Sequence, residues 1–309
     1  MEGYNLEHKA KIQGGAHMLL STQNDVLGRT FGEAESIRML KKAGFDAFDY
    51  SMFRMVREED YVLNQPDWRE YVHTLRNVAD EVGIRCNQAH APFPSSKIEE
   101  EYNEMAYPAI IRSIEAAGIL GAEVIVVHPM QHLPYAENKA VLRDMNIDFY
   151  RSLIPYCEKF NIHVAVENMW QRSEQAGNKI VDSTCSRAEE FCDYIDAIGS
   201  PWIVACLDVG HVGLVGEELR RMIHMLGHNR LRALHVHDND FIGDQHTLPF
   251  TRNMNFELIT TALHDIGYDG DFTFEADNFL KALPPELMMD ASIYMCKVGR
   301  YLMSRVLEG

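Results

Sequence analysis

The sequence is short of positive charge. Its 29 lysines and arginines face 46 aspartates and glutamates, a formal net charge of −17 over 309 residues. That balance disfavours a partner held mainly by phosphate contacts, which call for a basic surface, so no nucleic-acid partner is expected. Long apolar runs are missing as well. No stretch approaches the roughly 18 uninterrupted apolar residues of a spanning helix, so no membrane partner is expected. The opening MEGYNLEHKAKIQ has no apolar segment of the signal-peptide kind. None of the six cysteines (Cys86, Cys157, Cys185, Cys192, Cys206 and Cys296) forms a Cys-x-x-Cys pair. They read as reduced thiols of a cytoplasmic protein. No G-x-G-x-x-G follows the first strand-like run, since GGAH at 14–17 lacks the spacing of a dinucleotide fingerprint. No Pro/Gly/Ser-rich linker or break in composition divides the chain, which predicts one domain over 1–309.

What is there is alternation. Short apolar runs at 12–20, 45–51, 84–91, 123–129, 163–168, 202–208, 231–238 and 271–276 read as strands. Helical patterns separate them near 32–43, 67–82, 99–120, 137–160, 187–198, 216–227 and 255–266, and a last one lies near 286–306. In YPAIIRSIEAAGIL, Ile110, Ile111, Ile114 and Ala117 share one helical stripe. Gly44, Gly83, Gly121, Gly199, Gly227 and Gly267 sit where left-handed caps are expected, and Pro66 and Pro108 suit early helix turns. Eight β-then-α units predict an α/β fold, a (β/α)8 TIM barrel with its core over about 12–280. An open doubly wound sheet is the alternative.

Ligand-type side chains crowd the predicted strand ends. LHVHDND at 234–240 and GDQHTLP at 243–249 are the densest stretches. His90 lies near the end of the third strand, His128 ends the fourth, and Glu167 the fifth. Asp208 ends the sixth with His211 after it, His235 lies in the seventh, Asp244 and His246 in the loop beyond, and Glu275 ends the eighth. A barrel carries its active site on that face, so these groups converge on one cavity. Gathered imidazoles and carboxylates need a cation or hydrogen bonds to stabilise them, and a divalent metal is the simple answer. Each residue also has an ordinary reading. His90 suits a satisfied core histidine, His128 a strand end, Glu167 an ion pair, Asp208 a helix N-cap, and Asp244 and His246 a surface loop. Strand period puts His235 and His237 on one side without saying which. His235 is taken as the ligand, and His237 as a supporting or solvent-exposed group. Asp238 fits a loop pin or a substrate contact equally.

The motifs QAHAPF (88–93), VVHPM (126–130), AVENMW (165–170), CLDVGH (206–211), ALHVHDND (233–240), GDQH (243–246) and FTFEA (272–276) resemble, in this order, the xylose-isomerase-like TIM barrels. That superfamily holds sugar isomerases and epimerases and the endonuclease IV enzymes. The resemblance implies one divalent metal on Glu167, Asp208, His235 and Glu275. Manganese is the expected ion, and magnesium, cobalt or zinc are also compatible. It implies Glu167 and Glu275 as the proton-transfer pair, acting next to a carbonyl of a carbohydrate or polyol. His90, His128, His211, Asp244, His246 and Arg252 are expected to contact the substrate.

Two enzymatic alternatives share this scaffold. Every ligand position of the three-zinc endonuclease IV pattern is matched too, but the acidic composition and the absence of a Lys/Arg cluster on the predicted loops weigh against a phosphodiesterase. A sugar lyase or dehydratase, of the inosose-dehydrating or C-glycoside-cleaving type, starts from the same proton abstraction. A barrel that binds sugar without catalysis is the non-enzymatic reading. TLPFTRNMNF (247–256) lacks the glycine turn common in the sugar branch, which leaves Arg252 either an anion contact or a solvated charge. The polar loop 169–183 is either a cover for the pocket or a surface excursion. Apolar spacing on the outer helices fits core and subunit interface alike, so a homo-oligomer stays open.

Overall fold

The computed structural model describes residues 18–309. The predicted first strand, 12–20, therefore falls mostly outside the described residues, and the strand observed there is β1 (Leu20–Thr22). The other barrel strands are β2 (Ala47–Ser51), β3 (Arg85–His90), β4 (Val124–Val126) and β5 (His163–Glu167). After a hairpin of β6 (Trp170–Ser173) and β7 (Lys179–Asp182) come β8 (Ile203–Asp208), β9 (Leu231–His235) and β10 (Phe272–Phe274). Parallel pairing runs β2-β3-β4-β5-β8-β9, and β1 pairs with β10. Single parallel bridges, Gln23 to Asp49 and Val236 to Phe274, join the two sheets. Their bonds, Asn24 N to Asp49 O at 3.1 Å and Val236 N to Thr273 O at 2.9 Å, close eight parallel strands into a barrel.

The strands' period of two sorts side chains between the barrel interior and the helix layer. Val124, Val126, Ala165, Val204, Cys206 and Ala233 form a small cluster of their own inside the barrel. Ile125, Val164, Val166, Ala205, Leu207 and Leu234 alternate with them and join the main core under the helices. Continuing the interior positions upward by two leads to His128, Glu167, Asp208 and His235, the top layer of the interior.

The predicted helices form at Glu33–Ala43, Trp68–Val82, Glu100–Leu120, Tyr135–Phe160, Ala188–Ile198, Leu219–Arg230, Phe256–Asp265 and Pro285–Glu308. Gly44, Gly83, Gly121 and Gly199 cap four of them in the left-handed region. Pro108, expected in a first turn, lies well inside Glu100–Leu120, because that helix begins with the acidic turn at Glu100. Of the predicted stripe, Ile110, Ile114 and Ala117 face the core, while Ile111 is half-buried. Three short helices at Asp25–Phe31, Val209–Leu214 and Asp277–Lys281 lack a pattern long enough to read in sequence. The loop 169–183 is the antiparallel hairpin β6–β7. All six cysteines are free thiols. No described helix is long and apolar enough to cross a membrane.

The last helix seals the β1–β10 seam. A Cβ on Gly299 would stand 2.5 Å from Leu20 Cδ1 and 2.8 Å from Phe274 Cε2, so only glycine lets the helix lie this close. Helix propensity alone would make Gly299→Ala stabilising by about 1 kcal/mol. Overpacking at the seam reverses the sign, and G299A is expected to lose about 1–3 kcal/mol in urea unfolding. A stability equal to or above the parent's would show that the seam is loosely packed.

Candidate metal and proton-transfer site

The top layer of the interior gathers nine side chains into three groups with metal-ligand spacing, two of them overlapping (Glu167, Asp208, His235 and Glu275; His90, Glu167 and His235) and one separate (His211, His237, Asp244 and His246). His128 joins them, its Nε2 3.0 Å from Glu167 Oε2. The predicted residues other than Arg252 are thus brought together. They are buried or, for Asp244 and His246, half-buried.

Glu167 and Glu275 flank His235. Glu167 Oε1 accepts from His235 Nδ1 at 3.1 Å, and Glu275 Oε2 lies 3.1 Å from the same nitrogen. Gln23 Nε2 donates to Glu275 Oε1 at 2.8 Å and fixes that carboxylate's other oxygen. Asp208 has two duties. Its Oδ1 caps Val209–Leu214 by accepting from His211 N at 2.7 Å, and both its oxygens lie 3.0–3.1 Å from His237 Nε2. Three imidazoles are oriented through Nδ1: His211 donates to Asn168 O (2.8 Å), His246 to Glu275 O (3.0 Å) and His90 to Ala91 O (3.2 Å). Each is left with Nε2 for the cavity, the arrangement found around metal-bound histidines. His90 Nε2, His235 Nε2, Glu167 Oε2, Glu275 Oε2, His237 Nδ1 and Asp244 Oδ1 are buried without a hydrogen-bond partner. Orphaned atoms this dense mark an atom set shaped for something else, and a cation fits it.

The charges answer one another. Burial pushes the Glu167 carboxyl up, but the His235 and His128 imidazoles more than reverse this and hold it well below the usual range. Glu275 is lowered against its burial by His235 and His246. Burial opposes an imidazolium at His211, yet Asp208, Asp244 and Glu167 lift it to about 10. His246 is raised well above its ordinary value, against burial, by Asp244 and Glu275. His128 goes the other way, lowered by its burial.

One expectation narrows and one changes. Of the two roles open to His237, supporting or solvent-exposed, the second is ruled out: it is fully buried, and its ring stacks on His246 at 4.1 Å. Ala233, His235 and His237 share the interior face, which strand period alone leaves undetermined. A Cβ on Gly210 would collide with the His237 ring, so glycine there makes room for it. Arg252 is exposed and bonds to Gln245 and Thr251, away from the cavity lining. The missing glycine turn is replaced by Asp238, which pins the loop by accepting from Arg252 N (2.7 Å) and Met254 N (3.0 Å).

Above this layer opens a cavity of about 830 Å³. The hairpin β6–β7 helps form its wall: Trp170 lines it and donates from Nε1 to Asp244 Oδ2 at 3.1 Å. Phe53 and Phe93 form the opposite wall, their rings 4.2 Å from His90 and 4.5 Å from His128. Trp170, Phe53, Gln23 and Asp49 carried no signal in the sequence.

Residues 37–297 match the xylose isomerase-like TIM barrel family. By sequence the chain is similar to the protein MJ1311 of Methanocaldococcus jannaschii, 26% identical over 90% of this chain and 92% of that one. A probable endonuclease 4 of Mesomycoplasma hyopneumoniae is 25% identical over 61% of this chain and 63% of its own. By structure the chain resembles a D-tagatose 3-epimerase-like protein (TM-score 0.70, 20% identity, 94% of this chain and 99% of that one). It also resembles the 3-keto-D-glucoside 4-epimerase YcjR of E. coli (TM-score 0.69, 18% identity, 92% and 100%).

In the metal-free protein the raised imidazoles carry a sign. A histidine raised in the fold stabilises fully below its unfolded value near 6.5 and loses that contribution as pH rises through the folded value. With His211 near 10, the Tm of chelator-treated protein is expected to fall between pH 6.5 and 10, on the order of 5 °C. A flat profile over that window would mean these imidazoles are neutral in the fold.

Proposed function

From the premise that this chain belongs to the xylose isomerase-like TIM barrel family, we propose that it is a divalent-metal-dependent isomerase or epimerase of a sugar or polyol. The observation that carries the reading is the Glu167–His235–Glu275 arrangement: two carboxylates on one imidazole, each with a buried, unpartnered oxygen, beneath a cavity they both line. Glu167, Asp208, His235 and Glu275 would hold the ion, whose donor set suits manganese, with magnesium, cobalt or zinc also compatible. A divalent ion there supplies polarisation of adjacent substrate oxygens. The residues supply the rest. One glutamate removes the proton from the carbon beside a carbonyl, and the other returns a proton to that carbon or to its neighbour. Return to the same carbon from the other face is epimerisation, and return to the neighbour is isomerisation. Both carboxyls are lowered in the metal-free site, so either can accept the first proton, and the glutamate that returns one would first take it from solvent in the cavity. His128, held neutral by burial, and His211 stand where substrate hydroxyls would be bound.

The similar structures include a D-psicose 3-epimerase and an L-ribulose 3-epimerase, which fits a ketose substrate. A specific observation also favours a second reading. The His211, His237, Asp244 and His246 group and the His90 group extend the ligands well beyond one ion, as a zinc-cluster phosphodiesterase would need. The similarity to a probable endonuclease 4 points the same way. Elemental analysis separates the two: about one metal ion per chain supports the isomerase, and about three zinc ions with cleavage of abasic DNA support the phosphodiesterase.

Glu275→Gln removes the charge and keeps the shape. On a ketose substrate it is expected to cut kcat by about 10²–10⁴ while the circular dichroism spectrum stays unchanged. In D₂O the parent protein should place deuterium on a single substrate carbon. Near-full activity of E275Q, or turnover without deuterium incorporation, would remove the proton-transfer mechanism.

A further inference from the structure

The cavity wall opposite the hairpin carries positive charge that the sequence scatters over the short helix Asp25–Phe31 and the loops after β2 and β3. Arg29, Arg54, Arg57 and Lys97 all line it. Two of them are already neutralised: Arg29 pairs with Asp25 at 2.6 Å, and Arg54 with Glu58 at 2.8 Å. Arg57 and Lys97 are exposed and have no carboxylate partner within ion-pair distance among the described residues, although Glu99 lines the same mouth. In a chain of net charge −17, two cations without an ion-pair partner stand out at the mouth of a cavity that Asp25, Glu99, Asp244 and Asp277 also line.

The loops that carry them are fastened. Asn64 Nδ2 donates to Met55 O and Glu58 O on either side of Arg57, at 2.7 and 3.0 Å. Lys97 is held by reciprocal bonds with the Asn103 side chain at 2.8 and 2.9 Å. Phe93 N bonds to Phe53 O at 3.5 Å and ties the two loops together. The Arg57 guanidinium lies 5.8 Å from the Phe93 ring, whose centroid is 4.5 Å from that of His128, and His128 Nε2 is 3.0 Å from Glu167. One phenyl and one imidazole therefore separate the proton-transfer carboxylate from the free guanidinium, a span that a short carbon chain can bridge.

We propose that the carbohydrate taken by this site carries a terminal oxyanion, a phosphate monoester or a carboxylate, bound by Arg57 and Lys97 at the end remote from the carbon that exchanges its proton. The inference rests on reading the cavity as a carbohydrate site. It places on the second- and third-strand loops the anion contact that Arg252 does not make. Arg57 would supply a planar fork for two oxygens and Lys97 a point charge. The Phe53 and Phe93 rings beneath them would pack against the apolar edge of the carbon chain.

Titration calorimetry of the metal-loaded, full-length chain with D-fructose, D-fructose 6-phosphate and D-fructuronate reads the preference. At least one anionic ligand is expected to bind about tenfold tighter than fructose, and the R57Q/K97Q double variant to lose most of that ratio. A preference for the phosphate supports the monoester, and the reverse order the carboxylate. Equal binding of all three, binding of none, or a ratio unchanged in R57Q/K97Q overturns the proposal; the last result would put the anion on the metal. The readout is binding, so it stands apart from turnover. An anion preference without deuterium exchange would leave this subsite standing and remove the isomerase reading alone.

Discussion

Four carboxylates and six imidazoles share the upper end of one barrel, and everything about the site follows from burying them together. An ionised group taken out of water costs several kcal/mol unless it is paired and hydrogen-bonded. Here the groups are paired with each other. Glu167 is set against His235 and His128, Glu275 against His235 and His246, and Asp244 against His211 and His246. The pairing is incomplete, because one nitrogen or oxygen on most of them is left without a partner. A network that balances its charge but leaves its inward-facing atoms unsatisfied is one in which a cation can replace protons without rebuilding the site.

The barrel makes this possible by ordering its interior in layers. Valine, alanine and cysteine fill the interior below, and the ionisable layer begins one step of period two above them, at 167, 208 and 235. The same backbone positions that form the parallel ladder therefore aim the ligands. Two single bridges close the ring, and the Gly299 contact holds the last helix against that seam. The loops then add what strands cannot. The β6–β7 hairpin brings Trp170 onto Asp244, the Asn168 carbonyl turns His211, and Asp238 stands in for a missing glycine turn.

His237 and the basic wall show where reading along the chain loses information. His235 and His237 differ by two residues, so sequence places them on one side, but which side is interior depends on the register against β8. Arg57 and Lys97 lie on loops 40 positions apart and line one cavity because β2 and β3 pair side by side. Loop fastening places Arg252. It stands in the loop next to the site motifs, yet Asp238 fastens its backbone so that the guanidinium points to solvent.

The sequence by itself determined the architecture and the chemical character of the site. Eight apolar runs of strand length alternating with helical stripes leave few alternatives to a barrel. Glu167, Asp208, His235 and Glu275 at the ends of those runs had to meet on one face, because every parallel strand ends on the same side. Tertiary structure alone decided the facing of His237, the cavity wall built by Phe53, Phe93 and Trp170, and the placement of Arg252 away from the cavity lining. Those outcomes depend on ladder register, loop fastening and contacts between residues far apart in the chain. Strand and helix periods describe each segment against its own axis, and carry no record of which segment stands beside it.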